Sequence, residues 1–188
     1  KNPNIQLYLN PVTYSIREGN KRPLLKTDTF SGFILSFNPC RPKSRGEITI
    51  CSPNIYDAPK IRYNYLTDEA DLDDIVKGAR LIEQMERTEA IKSLLLEKPN
   101  ITLSSMEDHE IIDDFKERAS TIYHPSCTCR MGNDPKSSVV DKNLLVHGIN
   151  GLRVVDASIF PNITSANTNA PTIMVAHKAS EMINSRLN

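Results

Sequence analysis

The 188-residue sequence has no tryptophan, no excess of either charge and no long apolar run. Lysine plus arginine number 23, and so do aspartate plus glutamate. That balance gives no electrostatic reason to expect nucleic acid or an anionic membrane surface as a partner. No stretch approaches the ~20 apolar residues of a membrane helix, and no signal peptide or lipidation motif is read. Membrane association is therefore not indicated. Cysteine stands at 40, 51, 127 and 129 and forms no C-x-x-C pair. A disulfide-stapled domain carries more cysteine in a shorter chain. The expectation is four free thiols in a reducing, cytoplasmic setting. There is no internal repeat and no low-complexity segment. The length suffices for one domain with a core. The first residue is Lys1, with Pro3 and Pro11 close behind, so the chain is expected to be part of something longer.

What is present falls into three zones. Residues 1–56 read as β-rich. In "NIQLYLNPVTYSI", Ile5, Leu7 and Leu9 share one parity; "GFILSF" and "GEITIC" are further short runs. Asn-Pro, Gly-Asn and Ser-Arg-Gly punctuate them as turns. Such a pattern predicts an antiparallel sheet. Residues 66–120 read as helical. After Thr67, a suitable N-cap, Leu72, Ile75, Val76, Ala79, Ile82 and Met85 recur every three or four residues and define one apolar stripe, giving a helix over about 67–88. The carboxylates Asp68, Glu69, Asp71, Asp73 and Asp74 fall in its first two turns, where the helix dipole favours them. A calcium loop would need glycine at its sixth position and glutamate at its twelfth, and neither is there. A second helix is predicted over about 105–119, with Ile111, Ile112 and Phe115 inward.

Residues 121–188 change character. A loop, "YHPSCTCRMGNDPKSS", leads into "GLRVVDASIF", whose Leu152 to Val155 core reads as a buried strand. From Ala170 a third helix begins, with Pro171 in its first turn, where a missing N–H costs nothing. Its apolar residues Ile173, Met174, Val175, Ala176, Ala179, Met182 and Ile183 leave only a narrow polar strip, so it is expected to be buried on most sides.

The loop "TIYHPSCTCRMG" packs a histidine, two cysteines and an arginine into a few residues. A zinc site would take His124, Cys127, Cys129 and a distant His147, but structural zinc favours C-x-x-C pairs. A redox pair is equally poorly served, because alternate residues on an extended strand face opposite ways. On spacing alone, a tight loop with small thiols and a structural histidine is the stronger reading. No metal site is assigned. Cys40 and Cys51 are expected in the core, and Arg130 and Met131 as loop anchors.

The two motifs "HPSCTCRMG" and "VVDKNLLVHGINGLRVVDASIFPNITSANTNAPTIMVAHKASEMI" together resemble the C-terminal signature of the glucose–methanol–choline (GMC) oxidoreductases, flavin enzymes that oxidise alcohols. Within that family they look most like the choline dehydrogenase and alcohol dehydrogenase branch. "RPKSRGEITICSPNIYDAPKIRYNYL" is similar to a substrate-domain segment of the same family. The resemblance runs from about Asn38 to the end and implies an α+β fold. Residues 1–120 would be an antiparallel substrate-domain sheet with helices packed on one face. Residues 121–188 would be a catalytic loop, a strand and a helix that returns to an FAD domain.

Roles follow from the resemblance, position by position. The family's histidine after the motif tyrosine falls at His124. Its second histidine or asparagine, eleven residues past the aspartate of "VVDAS", falls at Asn167. His124 would take the hydroxyl proton, or hold the alkoxide oxygen, while hydride passes to flavin N5, and Asn167 would hydrogen-bond the same oxygen. Thr168, Asn169, Pro171 and Thr172 would meet the flavin mostly through backbone, and Asp156 and Ala157 would approach the flavin chain. Helix capping is the plain structural reading of Thr168 and Asn169. Cys127 stands where many relatives have glycine, which suggests a slightly different turn.

The family's dinucleotide fold opens with G-x-G-x-x-G, and the seven glycines here never take that spacing. The N-terminal FAD-binding part of the same polypeptide is thus the expected partner, a small alcohol the expected substrate, and FAD the cofactor of the full-length enzyme. A cyanohydrin lyase on the same scaffold and a standalone binding module are the alternatives. A quaternary ammonium substrate would call for an aromatic cage and a carboxylate, and this part has no tryptophan to build one.

Overall fold

The computed structural model describes residues 3–16, 25–97 and 102–185. Its elements run β1 (Ile5–Asn10), β2 (Tyr14–Ile16), β3 (Leu25–Thr27), β4 (Ile34–Pro39), β5 (Glu47–Thr49), β6 (Lys60–Arg62), α1 (Glu69–Glu86), α2 (Glu89–Lys92), α3 (Asp108–Arg118) and α4 (Asn169–Asn184). Short 3-10 turns lie at Leu103–Ser105 and Ala157–Ile159. The fold is mixed α+β. Two compact units alternate along the chain: one holds residues 5–39 and 72–117, the other 3–4, 40–71 and 118–185. The expected boundary near residue 120 falls beside one of several crossings between them.

In place of one continuous sheet, the described strands form three separate antiparallel pairs, β1–β4, β2–β3 and β5–β6. The Gly-Asn turn expected near residue 20 lies outside the described residues. In the first unit, Leu7 faces Phe37 and Leu9 faces Leu35 across β1 and β4. The ring of Phe37 lies 5.5 Å from Phe115 of α3. It also sits against Gly78 of α1, where an added Cβ would come within 2.2 Å of the ring. Leu7 and Leu9 nonetheless stay exposed, because a two-stranded ladder covers little beyond its centre.

Helix α1 follows its periodicity. Ile75, Ala79 and Ile82 are buried, with Leu72, Val76 and Met85 half-buried beside them. Its start is one residue later than expected. Asp68, not Thr67, caps it: Asp68 Oδ1 accepts from Ala70 N at 2.9 Å, whereas the Thr67 hydroxyl donates back to Asn64 O. The cap goes to the side chain that can reach the free N–H groups. The short helix α2, capped by Thr88, escaped the sequence reading because four residues carry no period. In α3, Ile111 is buried, and Ile112 and Phe115 are half-buried as expected. Arg80 of α1 donates to Leu103 O, Met106 O and Asp108 Oδ1, tying the start of α3 to α1.

The acidic cluster is put to structural use. Asp71 is buried and accepts from Lys43 N at 2.6 Å, from Ser44 N at 2.8 Å and from the Ser44 hydroxyl. Burial alone would push this carboxyl up. The bonds from Lys43 and Ser44, with the Arg45 charge, outweigh it and hold the group below its ordinary value.

In the second unit, β5 and β6 are exposed along their length. Cys51 is exposed too, which corrects its expected place in a core; Cys40 is buried. Leu152 to Val155 is not a buried strand. Arg153 makes one isolated bridge to Leu145, and Leu152 is 47% exposed. The Gly148 and Gly151 turn, both at positive φ, returns the chain for two backbone bonds, Val146 N to Leu152 O and Val154 N to Leu144 O, and no ladder grows from them. The buried apolar residues sit instead at Val140, Leu144, Ile159, Phe160, Val175 and Ala179.

Candidate active site

The loop holding His124 is fixed by hydrogen bonds on both sides. Downstream, Cys127 N, Cys129 N and Met131 N donate in turn to the carbonyls of Ala157, Ser158 and Ile159, at 3.3, 2.9 and 2.8 Å. Arg130 and Met131 are anchors as expected: Arg130 Nε donates to Ser137 O, and Met131 packs on the core. Upstream, Thr121 Oγ1 accepts from Tyr123 N at 3.2 Å. Two residues flanking His124, Tyr123 and Cys127, have φ of 58° and 72°. Non-glycine residues adopt that region at a cost of about 1–3 kcal/mol. Cys127 thus occupies a backbone state that glycine takes freely. Pro125 biases His124 away from α geometry.

These constraints deliver the His124 ring to the start of α4. Its Nε2 lies 3.0 Å from Asn167 Nδ2, and its Nδ1 lies 3.2 Å from Thr168 Oγ1. With the amide nitrogen as donor, Nε2 carries the lone pair and Nδ1–H donates to the threonine oxygen. His124 is half-buried, Asn167 exposed and Thr168 buried. A basic nitrogen and a neutral amide donor are therefore presented together, forty-three residues apart in sequence.

The other expected site residues divide into two groups. Asn169, Pro171 and Thr172 form the first turn of α4, and the Thr172 hydroxyl donates to Thr168 O at 2.6 Å. Asp156 and Ala157 are joined to the His124 loop through backbone, by the bond from Cys127 N to Ala157 O. The Asp156 carboxylate is engaged as a cap, accepting from Ser158 N at 2.7 Å. The alternative zinc set is dispersed among other bonds: His147 Nε2 pairs with Ser138 Oγ and Gly132 O. A cleft of about 230 Å³, lined by Arg130, Gly132, Ser138 and Asn162 among others, contains neither His124 nor Asn167. What the sequence reading missed is the Thr168 side chain. A threonine at a helix start signals only a cap, and nothing local marks a distant imidazole as its partner.

The GMC oxidoreductase family model matches residues 42–176. The chain belongs to the GMC oxidoreductase family. It is 41% identical over 185 residues to an alcohol dehydrogenase [acceptor] of Pseudomonas putida, covering 96% of this chain and 32% of that protein. It is 41% identical over 153 residues to an oxygen-dependent choline dehydrogenase of Vibrio vulnificus, covering 81% of this chain and 27% of that protein. Among solved structures, a formate oxidase of Aspergillus oryzae, an FAD protein, matches with a TM-score of 0.76 and 29% identity, over 86% of this chain and 28% of that one. This GMC chain thus spans less than a third of the length of these relatives. Among the described residues, no helix is long and apolar enough to cross a membrane.

Proposed function

We propose that this chain is the C-terminal part of an FAD-dependent oxidoreductase that converts a primary alcohol to its aldehyde. The observation that carries the reading is the 3.0 Å approach of Asn167 Nδ2 to His124 Nε2 beside the start of α4. An alcohol is oxidised readily only once its hydroxyl proton can leave. His124 Nε2 takes that proton, since a neutral imidazole can accept a proton and later give it back. Asn167 donates its amide N–H to the oxygen as charge develops there. A neutral donor adds no second charge beside the histidine. The N-terminus of α4, equivalent to roughly half a positive charge, favours the same developing anion. A base of this kind contributes typically about 10²–10⁴ in rate.

The residues present fit one part of the cofactor. Asn169 and Ala170 are exposed at the mouth of α4, where the first N–H groups of a helix lack intrahelical acceptors. Asn169, Pro171 and Thr172 would border an electron-rich ring there, with Asp156 and Ala157 toward its chain. FAD, when bound, supplies the acceptor for the two electrons and hydrogen leaving the carbinol carbon. The adenosine half has no G-x-G-x-x-G here to hold it. The remainder of the same polypeptide would supply that motif and cover the apolar residues that α4 leaves exposed. The four cysteines are free thiols, and a reducing, cytoplasmic setting would keep them so.

The chain by itself is expected to have negligible activity and to bind FAD weakly. A purified sample that is yellow with stoichiometric flavin would overturn the division of labour. An upstream reading frame that carries G-x-G-x-x-G and runs into Lys1 would support the enzyme; a start codon near Lys1 would favour a standalone module. A lyase on this scaffold would release hydrogen cyanide from a cyanohydrin and would not reduce an artificial electron acceptor with primary alcohols.

A further inference from the structure

We infer that the Thr168 hydroxyl is a positioning group for His124, locking the imidazole so that Nε2 faces the reacting oxygen. The inference rests on His124 being the base. A threonine at a helix N-cap ordinarily accepts from the second or third N–H of the helix. Here the third helical residue is Pro171, which has no N–H to give. Thr168 itself lies at φ −80° and ψ −9°, not in the extended region usual for a cap, and its side chain makes no cap bond. The hydroxyl is instead buried, with its oxygen 3.2 Å from His124 Nδ1. The helix forgoes a cap, and the imidazole gains a fixed partner.

The chemical consequence concerns the tautomer. Neutral imidazole carries one proton, and its location depends on what the other nitrogen bonds. An oxygen accepting at Nδ1 keeps the proton there and leaves Nε2 an acceptor, for the Asn167 N–H as here or for a substrate hydroxyl that takes its place. The same oxygen continues to accept after Nε2 is protonated, so it supports the imidazolium formed in the step. Without it the ring can turn, or the proton can move to Nε2, and the base points the wrong atom at the substrate.

The test uses the full-length enzyme with Thr168→Val, Thr168→Ser and His124→Ala, comparing kcat, KM and the pH profile of kcat/KM. Valine keeps the shape and removes the oxygen. Because no cap bond is lost, the thermal midpoint should fall only by the few degrees that one hydrogen bond is worth. The expected result is a fall in kcat of about 10- to 100-fold, in line with a misoriented catalytic group. KM should change far less, and the acidic limb of the profile should move to lower pH. Serine should restore most of the rate and the limb. Wild-type turnover and profile in Thr168→Val, with His124→Ala slow, would overturn the positioning role alone. A serine variant as slow as valine would also overturn it, by showing that the hydroxyl is not the agent. Unimpaired His124→Ala would remove the base itself, and the inference with it.

Discussion

Helices α1 and α4 are both rich in apolar residues, but they meet different fates. In α1, Ile75, Ala79 and Ile82 are at most 6% exposed, and the polar face is occupied by ion pairs such as Lys77 with Asp73 and Asp74. In α4, only Val175 and Ala179 among the apolar residues are buried, while Ile173 and Met174 are about 60% exposed. Within this chain α4 is left largely uncovered, and the sequence reading has it pack against a part that is not present. An amphipathic helix can satisfy itself with one covering surface; a helix that is apolar nearly all round needs two. The contrast separates a part that closes its own core from a part that presents surface around a histidine.

Five substitutions probe how α1 and the His124 site at α4 differ. His124→Ala in the full-length enzyme should lower kcat/KM by about 10²–10⁴, roughly 3–5 kcal/mol of barrier, with the thermal midpoint nearly unchanged; steady-state kinetics and a melting curve read the two together. Ile75→Ala should do the reverse, costing about 2–5 kcal/mol of stability through an unfilled cavity, read by denaturant unfolding. Asp71→Asn should cost about 1.5–3 kcal/mol by weakening charge-assisted bonds to Lys43 and Ser44. Because the folded carboxyl titrates below its ordinary value, its stabilisation is fully present above the unfolded pKa. It is lost as pH falls through the lower, folded one. Melting curves of wild type and variant should therefore converge in acid and separate toward neutral pH.

Gly78→Ala sets two effects against each other. Alanine gains about 1 kcal/mol of helix propensity, but its Cβ would meet a Phe37 ring already in contact with Phe115. Overpacking of that kind costs about 1–3 kcal/mol, so a net loss of about 1 kcal/mol is expected in the same unfolding experiment. Ile173→Glu comes last. On this chain alone it should change stability by no more than about 0.5 kcal/mol, as for any exposed site. In the full-length protein it should impair folding or flavin retention, measured by flavin content per chain. A large loss in the isolated chain would mean that α4 is already covered, and the contrast with α1 would fail.

Legibility followed the range of the interaction. The stripe of α1 and the inward residues of α3 could be read because spacings of three and four report on which side chains share a face. The same reasoning could not say whether that face is covered. Leu7 and Leu9 alternate as a strand should, yet lie exposed; Val154 and Val155 look like a strand interior, yet form no ladder. Cap identity shifted by one residue, from Thr67 to Asp68, because both are competent caps and only the geometry of the first turn selects one. At the site, His124 and Asn167 were marked by motif wording, whereas the Thr168 hydroxyl was hidden behind its ordinary reading as a cap.

Local sequence sufficed to place the long helices, to show that charge is balanced, and to single out the motif residues. These depend on neighbours within a turn or two, so local chemistry suffices. Only tertiary structure decided that an imidazole at 124 meets an amide at 167 and a hydroxyl at 168. It also decided that α4 keeps much of its apolar surface open. Contacts across forty-three residues require a long loop to close, and the free energy that closes it comes from the buried cluster around Val140, Ile159 and Val175 rather than from the residues that meet.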